Sequence, residues 1–336
     1  MIVAGRLPDR LSRVDHGRTH HATTGEDRMY VSPARIAHMY YEQGLTQQQI
    51  ANETSLSRIR VSRILQQARV DGTVTITIDY GRFDPTLESR LAEIYPGTRI
   101  VVSDSIDGST DALTASLGAT TAHYLAHTLR DVDTLAIGWG TTIRAVAERL
   151  DDSLAATTFV PLLGGQVHAG LDVHANSIAE VMAARTGGSA MRIFAPAIAE
   201  SVEARDTLVR SASVRQTLAR AAGADAVLFS VGAPFAEGTT LGRIGYYTAE
   251  EIEQLRDSGA QCDLISLAYF DSDGEPCGQE LSDRTVSLTL DELSSIPTKI
   301  CVAGGESKHE AVRIALGLGL VDVLVTDDRT AHTLAD

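Results

Sequence analysis

Basic side chains in this chain are almost all arginine, and only Lys299 and Lys308 are lysines. Lys308 closes the stretch Gly304-Gly305-Glu306-Ser307-Lys308, just inside the start of a predicted helix. An ammonium there opposes the helix dipole, so its placement does not serve helix stability and suits a phosphate or carbonyl partner. Two more glycine loops follow predicted strands. Gly138-Trp139-Gly140-Thr141-Thr142 brings backbone N–H groups and two hydroxyls to a helix start, an arrangement that fits an anion, and Gly164-Gly165 follows the next strand. Any one loop reads equally well as a tight strand-to-helix turn; three in one chain point to a shared ligand. Asp263 and Asp271 lie at the ends of a predicted strand and offer carboxylates to the hydroxyls of a polyol, although Asp271, before Ser272-Asp273-Gly274, also fits a turn. His174 and Asn176 precede a helix, as capping groups by default and as ligand contacts by hypothesis. His123 and His127 share a helix face without a third ligand, so no metal is expected. The G-x-G-x-x-G pattern is missing from the 138–142 loop, and no nicotinamide or other cofactor is expected.

A second constellation runs from Thr46-Gln47-Gln48-Gln49-Ile50-Ala51 to Ser57-Arg58-Ile59-Arg60-Val61-Ser62-Arg63-Ile64-Leu65. With Gln47 as the first helical position, small Ala51 falls where two crossing helices touch, and Ile50, Leu56, Val61 and Ile64 share the apolar side. Ser57 has the hydroxyl of an N-cap for a second helix whose core side is Val61, Ile64, Leu65 and Ala68. Arg58, Ile59, Ser62 and Arg63 are left facing outward at its N-terminal end. Those positions meet base edges when such a helix lies in a major groove, where arginine pairs bidentately with guanine. Gln47 and Gln48 are placed to bond phosphate oxygens, and Ser57 and Arg60 complete the candidate DNA contacts. A plain helical hairpin with a solvated basic face is the alternative. Ser55 occupies the turn position where glycine with positive φ is usual, at a strain of about 1 kcal/mol.

The elements that must position these residues fall into two parts. The 336 residues suffice for one small and one large domain, each with its own core. No apolar run reaches about 18 residues and the N-terminus lacks the apolar core of a signal peptide, so no membrane partner is expected. Cys262, Cys277 and Cys301 are scattered without a C-x-x-C pair, which suits a reducing cytoplasm and argues against a zinc knuckle or a disulfide frame. The formal charge of −15 is unevenly spread: residues 1–70 carry ten arginines against six carboxylates, a local +4 that leaves −19 for the rest. Attraction to nucleic acid is thereby confined to the basic end.

Residues 1–28 are polar, arginine-spotted and aperiodic, and read as a disordered tail. Residues 29–80 read as a winged helix-turn-helix domain, with a bracing helix begun by Pro33 and a strand over 73–78 as the wing. Residues 81–98 read as a linker helix started by Asp84 and Pro85. Over 99–336, predicted strands at 100–102, 134–137, 159–163, 226–231, 264–269, 300–303 and 321–325 alternate with amphipathic helices. That alternation is the mark of an α/β domain with a largely parallel sheet covered on both faces, and ligands of such sheets collect at the carboxyl ends of strands.

Several motifs together resemble the SorC-type sugar-binding transcriptional regulators, a family that includes deoxyribonucleoside and central glycolytic regulators. They are Leu45-Thr46-Gln47 with Ile50-Ala51, Ser57-Arg58 with Val61-Ser62-Arg63, Gly138-Trp139-Gly140-Thr141-Thr142, Asn176-Ser177-Ile178-Ala179, Tyr269-Phe270-Asp271, Ala303-Gly304-Gly305 with Lys308, and Leu324-Val325-Thr326-Asp327. The resemblance runs from Tyr40 to Asp336. It implies an effector domain similar to the ribose-phosphate isomerase and glucosamine-phosphate deaminase fold, used to sense a phosphorylated sugar rather than to convert one. It further implies that Thr141, Thr142 and Lys308 hold phosphate and that Asp263 holds sugar hydroxyls. Gln261-Cys262 stands where the family usually has Val-Gly, and Leu163 where some members carry arginine; both bear on which sugar is bound.

The expectation is a cytoplasmic DNA-binding transcriptional regulator, a homodimer or homotetramer that reads a palindromic operator in double-stranded DNA. Its effector is a phosphorylated sugar or polyol held by Gly138, Gly140, Thr141, Thr142, Gly164, Gly165, His174, Asn176, Asp263, Gly305 and Lys308. The rival class is a sugar-phosphate isomerase or deaminase with an accessory DNA-binding domain, for which no recognisable motif places a general base.

Overall fold

Side-chain caps set the helices of the first unit. Ser32 accepts from the Arg35 N–H ahead of α1 (Pro33–Tyr41), and Thr46 and Gln49 form a reciprocal capping box at the start of α2 (Gln47–Thr54). Ser57 accepts from the Arg60 N–H ahead of α3 (Arg58–Val70). The three helices meet through Ile36, Met39, Ile50, Ala51, Val61 and Leu65, all buried, and Ala51 is the small residue that allows the close approach. Ser55 ends α2 in the left-handed region with φ of +57°, as the turn requires. The computed structural model describes residues 32–74, 85–103, 109–129, 131–165, 173–236 and 247–336. The tail over 1–28 and all but the first two residues of the expected wing strand lie outside the described residues.

The chain divides between residues 78 and 79 into two compact units. In chain order the second comprises α4 (Pro85–Ile94), β1 (Arg99–Ser103), α5 (Thr110–Thr128), β2 (Thr134–Ile137), α6 (Thr141–Ala147), β3 (Thr158–Pro161), α7 (Ala175–Thr186), β4 (Ser189–Ala190), α8 (Val202–Arg210), α9 (Ala212–Ala222), β5 (Ala226–Phe229), α10 (Ala249–Asp257), β6 (Cys262–Leu264), β7 (Ala268–Phe270), β8 (Pro276–Cys277), α11 (Gln279–Ser282), α12 (Leu290–Ser294), β9 (Thr298–Val302), α13 (His309–Gly317), β10 (Val323–Asp327) and α14 (Asp328–Ala335). Seven strands pair in parallel in the order β1-β10-β9-β5-β2-β3-β4. The apolar runs of the central strands are continuous because both faces are covered: Leu135 and Ile137 pack into one core and Ala136 into the other, and Ala226 and Leu228 are likewise opposed to Val227 and Phe229. From β2 the chain moves outward to β3 and β4, then returns at β5 on the other side of β2. The strand order therefore reverses between β2 and β5, the kind of place where open α/β sheets bind ligands.

Two expectations are corrected. The helix read as a linker over 81–98 is part of the second unit. Leu87 and Leu91, one turn apart, are buried in the same core as Ile100 and Val102; Glu88 Oε1 accepts from the Val102 N–H at 3.1 Å, and Arg90 donates to the Ala335 carbonyl at 2.6 Å. The strand read over 264–269 is instead a break. Ile265 and Ser266 take φ of +50° and +59°, so β6 and β7 fold back antiparallel and form a separate three-stranded sheet with β8. The break is held by side chains: Asp263 Oδ1 accepts from the Ser266 N–H at 2.6 Å, and Thr285 donates to the Ser266 carbonyl at 2.7 Å. Two adjacent non-glycine residues at positive φ cost energy that these buried bonds offset.

Candidate functional site

In a parallel sheet the residues that follow neighbouring strands emerge at one edge. Gly138 to Thr142 follow β2, Ser230 follows β5, and Gly304-Gly305 with Lys308 follow β9. Lys308 Nζ donates to Ser230 Oγ at 3.2 Å. Reciprocal backbone bonds of 2.9 and 2.8 Å between Gly232 and Asp263 carry the Asp263 carboxylate to the same strand end. Burial holds the Lys308 ammonium below the usual lysine range, while Cys301 and Asp263 act to raise it. Beside Asp263, the Tyr247 and Tyr269 hydroxyls lie 3.0 Å apart, and burial pushes both well above the usual phenol range. Ser230 escapes motif reading, though the strand-end rule would have marked it. Nothing local in the sequence joins Tyr247 to Tyr269.

Several expected ligand contacts are already engaged by the scaffold. Gly138 N–H donates to the Leu228 carbonyl at 2.8 Å, and Gly140, at φ +117°, donates to the Val173 carbonyl at 3.0 Å while starting α6 without a side-chain cap. Gly164 and Gly165 donate to Val286 and Ala195, each at 2.9 Å, and a Cβ on Gly164 would collide with the carbonyls of Ala195 and Pro196. Gly305 donates to Asp327 Oδ2 at 2.7 Å and to Thr330 Oγ1 at 3.1 Å. Asn176 uses both its amide oxygen and its nitrogen on the Ile193 backbone, at 2.9 Å each. These groups are engaged because buried polar groups must be paired, which leaves the residues to set the backbone at the strand ends rather than to supply free donors. His174 is a buried N-cap of α7, Thr142 is buried, and Thr141 is exposed. Asp271 is a turn residue: Oδ1 accepts from the N–H groups of Asp273 and Glu275, each at 2.9 Å. His127 Nδ1 donates to the His123 carbonyl at 2.8 Å, and among the described residues no cluster of three His, Cys, Asp or Glu could hold a metal ion.

Burial pushes Asp263 up to about 7, against the opposing pull of the Ser266 N–H and of Lys308. An ordinary aspartate in the unfolded chain releases its proton near pH 4 (about 3.9), whereas the folded chain retains it. Between those two values the folded state binds more protons, so the stability contributed here falls as pH rises through the window and levels off above it. Asp263→Asn keeps an oxygen for Ser266 and is expected to remove this slope. Urea midpoints measured from about pH 4 to 8 check it, and an unchanged slope would mean that the carboxylate is solvated.

On α3 the two faces separate cleanly. Val61, Leu65 and Ala68 are buried, whereas Arg58, Ile59, Arg60, Ser62 and Arg63 are exposed. Among the described residues Arg58, Arg60 and Arg63 have no acidic partner. Ser57 is exposed and its Oγ serves as the cap, Gln48 is exposed with its amide donating to Asn52 at 3.1 Å, and Gln47 is partly buried. The sequence places these side chains as the structure does, because capping and amphipathic spacing are local properties.

Residues 82–335 match the family model of a sugar-binding domain, and residues 34–70, spanning most of α1 to α3, match that of sigma-70 region 4. The transcriptional regulator LsrR of Klebsiella pneumoniae subsp. pneumoniae is 32% identical over 308 residues, covering 90% of this chain and 91% of that protein. The deoxyribonucleoside regulator of Bacillus subtilis is 28% identical, covering 89% of this chain and 96% of its own. Among solved structures, the full-length sorbitol operon regulator SorC from Klebsiella pneumoniae matches with a TM-score of 0.68 at 26% identity, over 90% of this chain and 98% of that one. A DeoR family transcriptional regulator from Listeria monocytogenes gives 0.68 at 30% identity, over 74% and 98%. A helix-turn-helix followed by a sugar-binding α/β domain defines a DNA-binding transcriptional regulator that responds to a sugar. The chain belongs to the SorC-type family of sugar-binding transcriptional regulators. All four of these relatives are named as regulators, and this chain is a regulator rather than an isomerase or deaminase. No helix among the described residues is long and apolar enough to cross a membrane.

Proposed function

We propose that the effector is a phosphorylated sugar or polyol bound beyond the carboxyl ends of β2, β5 and β9, and that its binding changes the affinity of α3 for a palindromic operator. The observation that carries this reading is Lys308, a part-buried ammonium at a strand end beside Ser230 and the buried Asp263. Partial removal of that charge from water costs energy, which a phosphate dianion would offset through charge-assisted hydrogen bonds. Thr141 and Thr142 add hydroxyls across the β2–β5 switch point. Asp263, near the midpoint of its titration at neutral pH, serves sugar hydroxyls as acceptor or donor. The protein works in the cytoplasm as a homodimer or homotetramer, in which paired copies of α3 meet paired half-sites. Coupling requires only that the sugar phosphate prefer one arrangement of the assembly over another.

A thermal-shift panel of sugar phosphates, the same sugars without phosphate, and inorganic phosphate tests the effector. At about a hundredfold above its dissociation constant a ligand stabilises by about 2.7 kcal/mol. Stabilisation by unphosphorylated sugars, with none from their phosphates, would sink the phosphate assignment. For the DNA end, Arg58→Ala and Arg63→Ala are each expected to weaken operator binding by about 1 to 3 kcal/mol and to relax base preference. Undiminished affinity in both variants would remove that half of the reading.

A further inference from the structure

We infer that Ile59 reads the C5 methyl group of a thymine, and so fixes an A·T pair within each half-site; the inference rests on α3 entering the major groove as proposed above. Ile59 is 69% exposed, whereas Val61, Leu65 and Ala68 of the same helix are buried and Ile64 is partly buried. At 3.6 residues per turn, Ile59 shares the outward stripe of Ser62, Arg63 and Gln66, on the side of the helix away from the core. Among the described residues it is not part of the core of the unit, which is built on Ile36, Ile50, Val61, Leu65 and their neighbours. Nor does it favour the helix, since a β-branched residue is a poorer helix former than alanine, arginine or glutamine.

A single exposed isoleucine is ordinary on a protein surface. The position of this one is informative. Ile59 is the second residue of α3, at the end that meets base edges, with Arg58 beside it and Arg63 one turn on. Arginine, serine and glutamine on that stripe can all bond phosphate or base; isoleucine can bond neither. The major groove presents one prominent apolar group, the thymine methyl, and that is the surface an aliphatic side chain can cover there. Arg58 and Arg63, each able to take guanine, place the A·T pair next to G·C pairs.

Duplexes enriched on the full chain from a random-sequence library supply the probe. Each thymine of the enriched half-site is then replaced in turn by deoxyuridine, which lacks only the methyl group, and binding of the wild type and of Ile59→Ala is measured at one salt concentration. At one thymine the replacement should weaken the wild type about fourfold, the worth of one buried methyl group, and leave Ile59→Ala unaffected. Because Ile59 is exposed and alanine is the better helix former, the variant should unfold at or slightly above the wild-type midpoint. If every uracil replacement weakens both proteins equally, or if the enriched half-site has no thymine, the assignment of Ile59 is overturned while DNA binding by α3 stands. If no sequence enriches, the DNA-binding reading fails, and the inference with it.

Discussion

Lys308→Met is expected to abolish the stabilisation that sugar phosphates confer and to weaken their binding by about 2 to 5 kcal/mol, roughly thirtyfold or more. The expectation follows from what surrounds the ammonium. Its hydrogen bond to Ser230 Oγ is a long one at 3.2 Å, and burial opposes its charge. A charge held this way contributes little to the unliganded fold, and methionine preserves the aliphatic stem while removing the desolvation cost, so the unliganded variant should be at least as stable as the parent. The loss should appear only with phosphorylated ligands. A thermal-shift titration of both proteins separates the cases: an unchanged response to sugar phosphates in Lys308→Met would place the phosphate elsewhere, whereas a fall in unliganded stability would make Lys308 a structural residue.

Leu91→Ala is expected to destabilise the second unit by about 2 to 5 kcal/mol, the cost of a cavity in a packed core. Leu91 is fully buried, and α4 is tied to the sheet by Glu88 on the Val102 N–H and to the C-terminus by Arg90 on the Ala335 carbonyl. Trp139, the only tryptophan, is buried in the same core, so its fluorescence during urea unfolding reports on this unit. An exposed connector helix would give a change within about 0.5 kcal/mol, and that result would detach α4 from the body.

The second and third helices of the first unit were legible almost to the residue. Ser57 and Pro33 mark helix starts by their own chemistry, whereas Ser55, a departure from the usual glycine, takes the left-handed conformation of the turn all the same. Six of the seven parallel strands were legible too, since each carries its own apolar run, whereas the edge strand β4, Ser189–Ala190, carries none. Residues 264–269 misled because they are apolar on both sides of a break. The groups that hold the break, Asp263 and Thr285, lie at the edge of that stretch or well beyond it. The short helix α14 carries no local mark of its start: its N-cap, Asp327, accepts from the Thr330 N–H at 3.2 Å and reads locally as the last residue of a strand.

By itself the sequence determined the division into a cationic helical end and an anionic α/β body, the outward face of α3, and the glycine, threonine and lysine residues that follow the strands. Only the tertiary structure decided which of those groups remain available. The pairing of β9 with β10 brings Asp327 onto Gly305, the pairing of β9 with β5 brings Ser230 to Lys308, and the Gly232 bridge brings in Asp263. The capacity to donate or accept a hydrogen bond belongs to a residue. Whether that capacity is already taken depends on partners far away in the chain, and those are set by how strands pair, which no local pattern records.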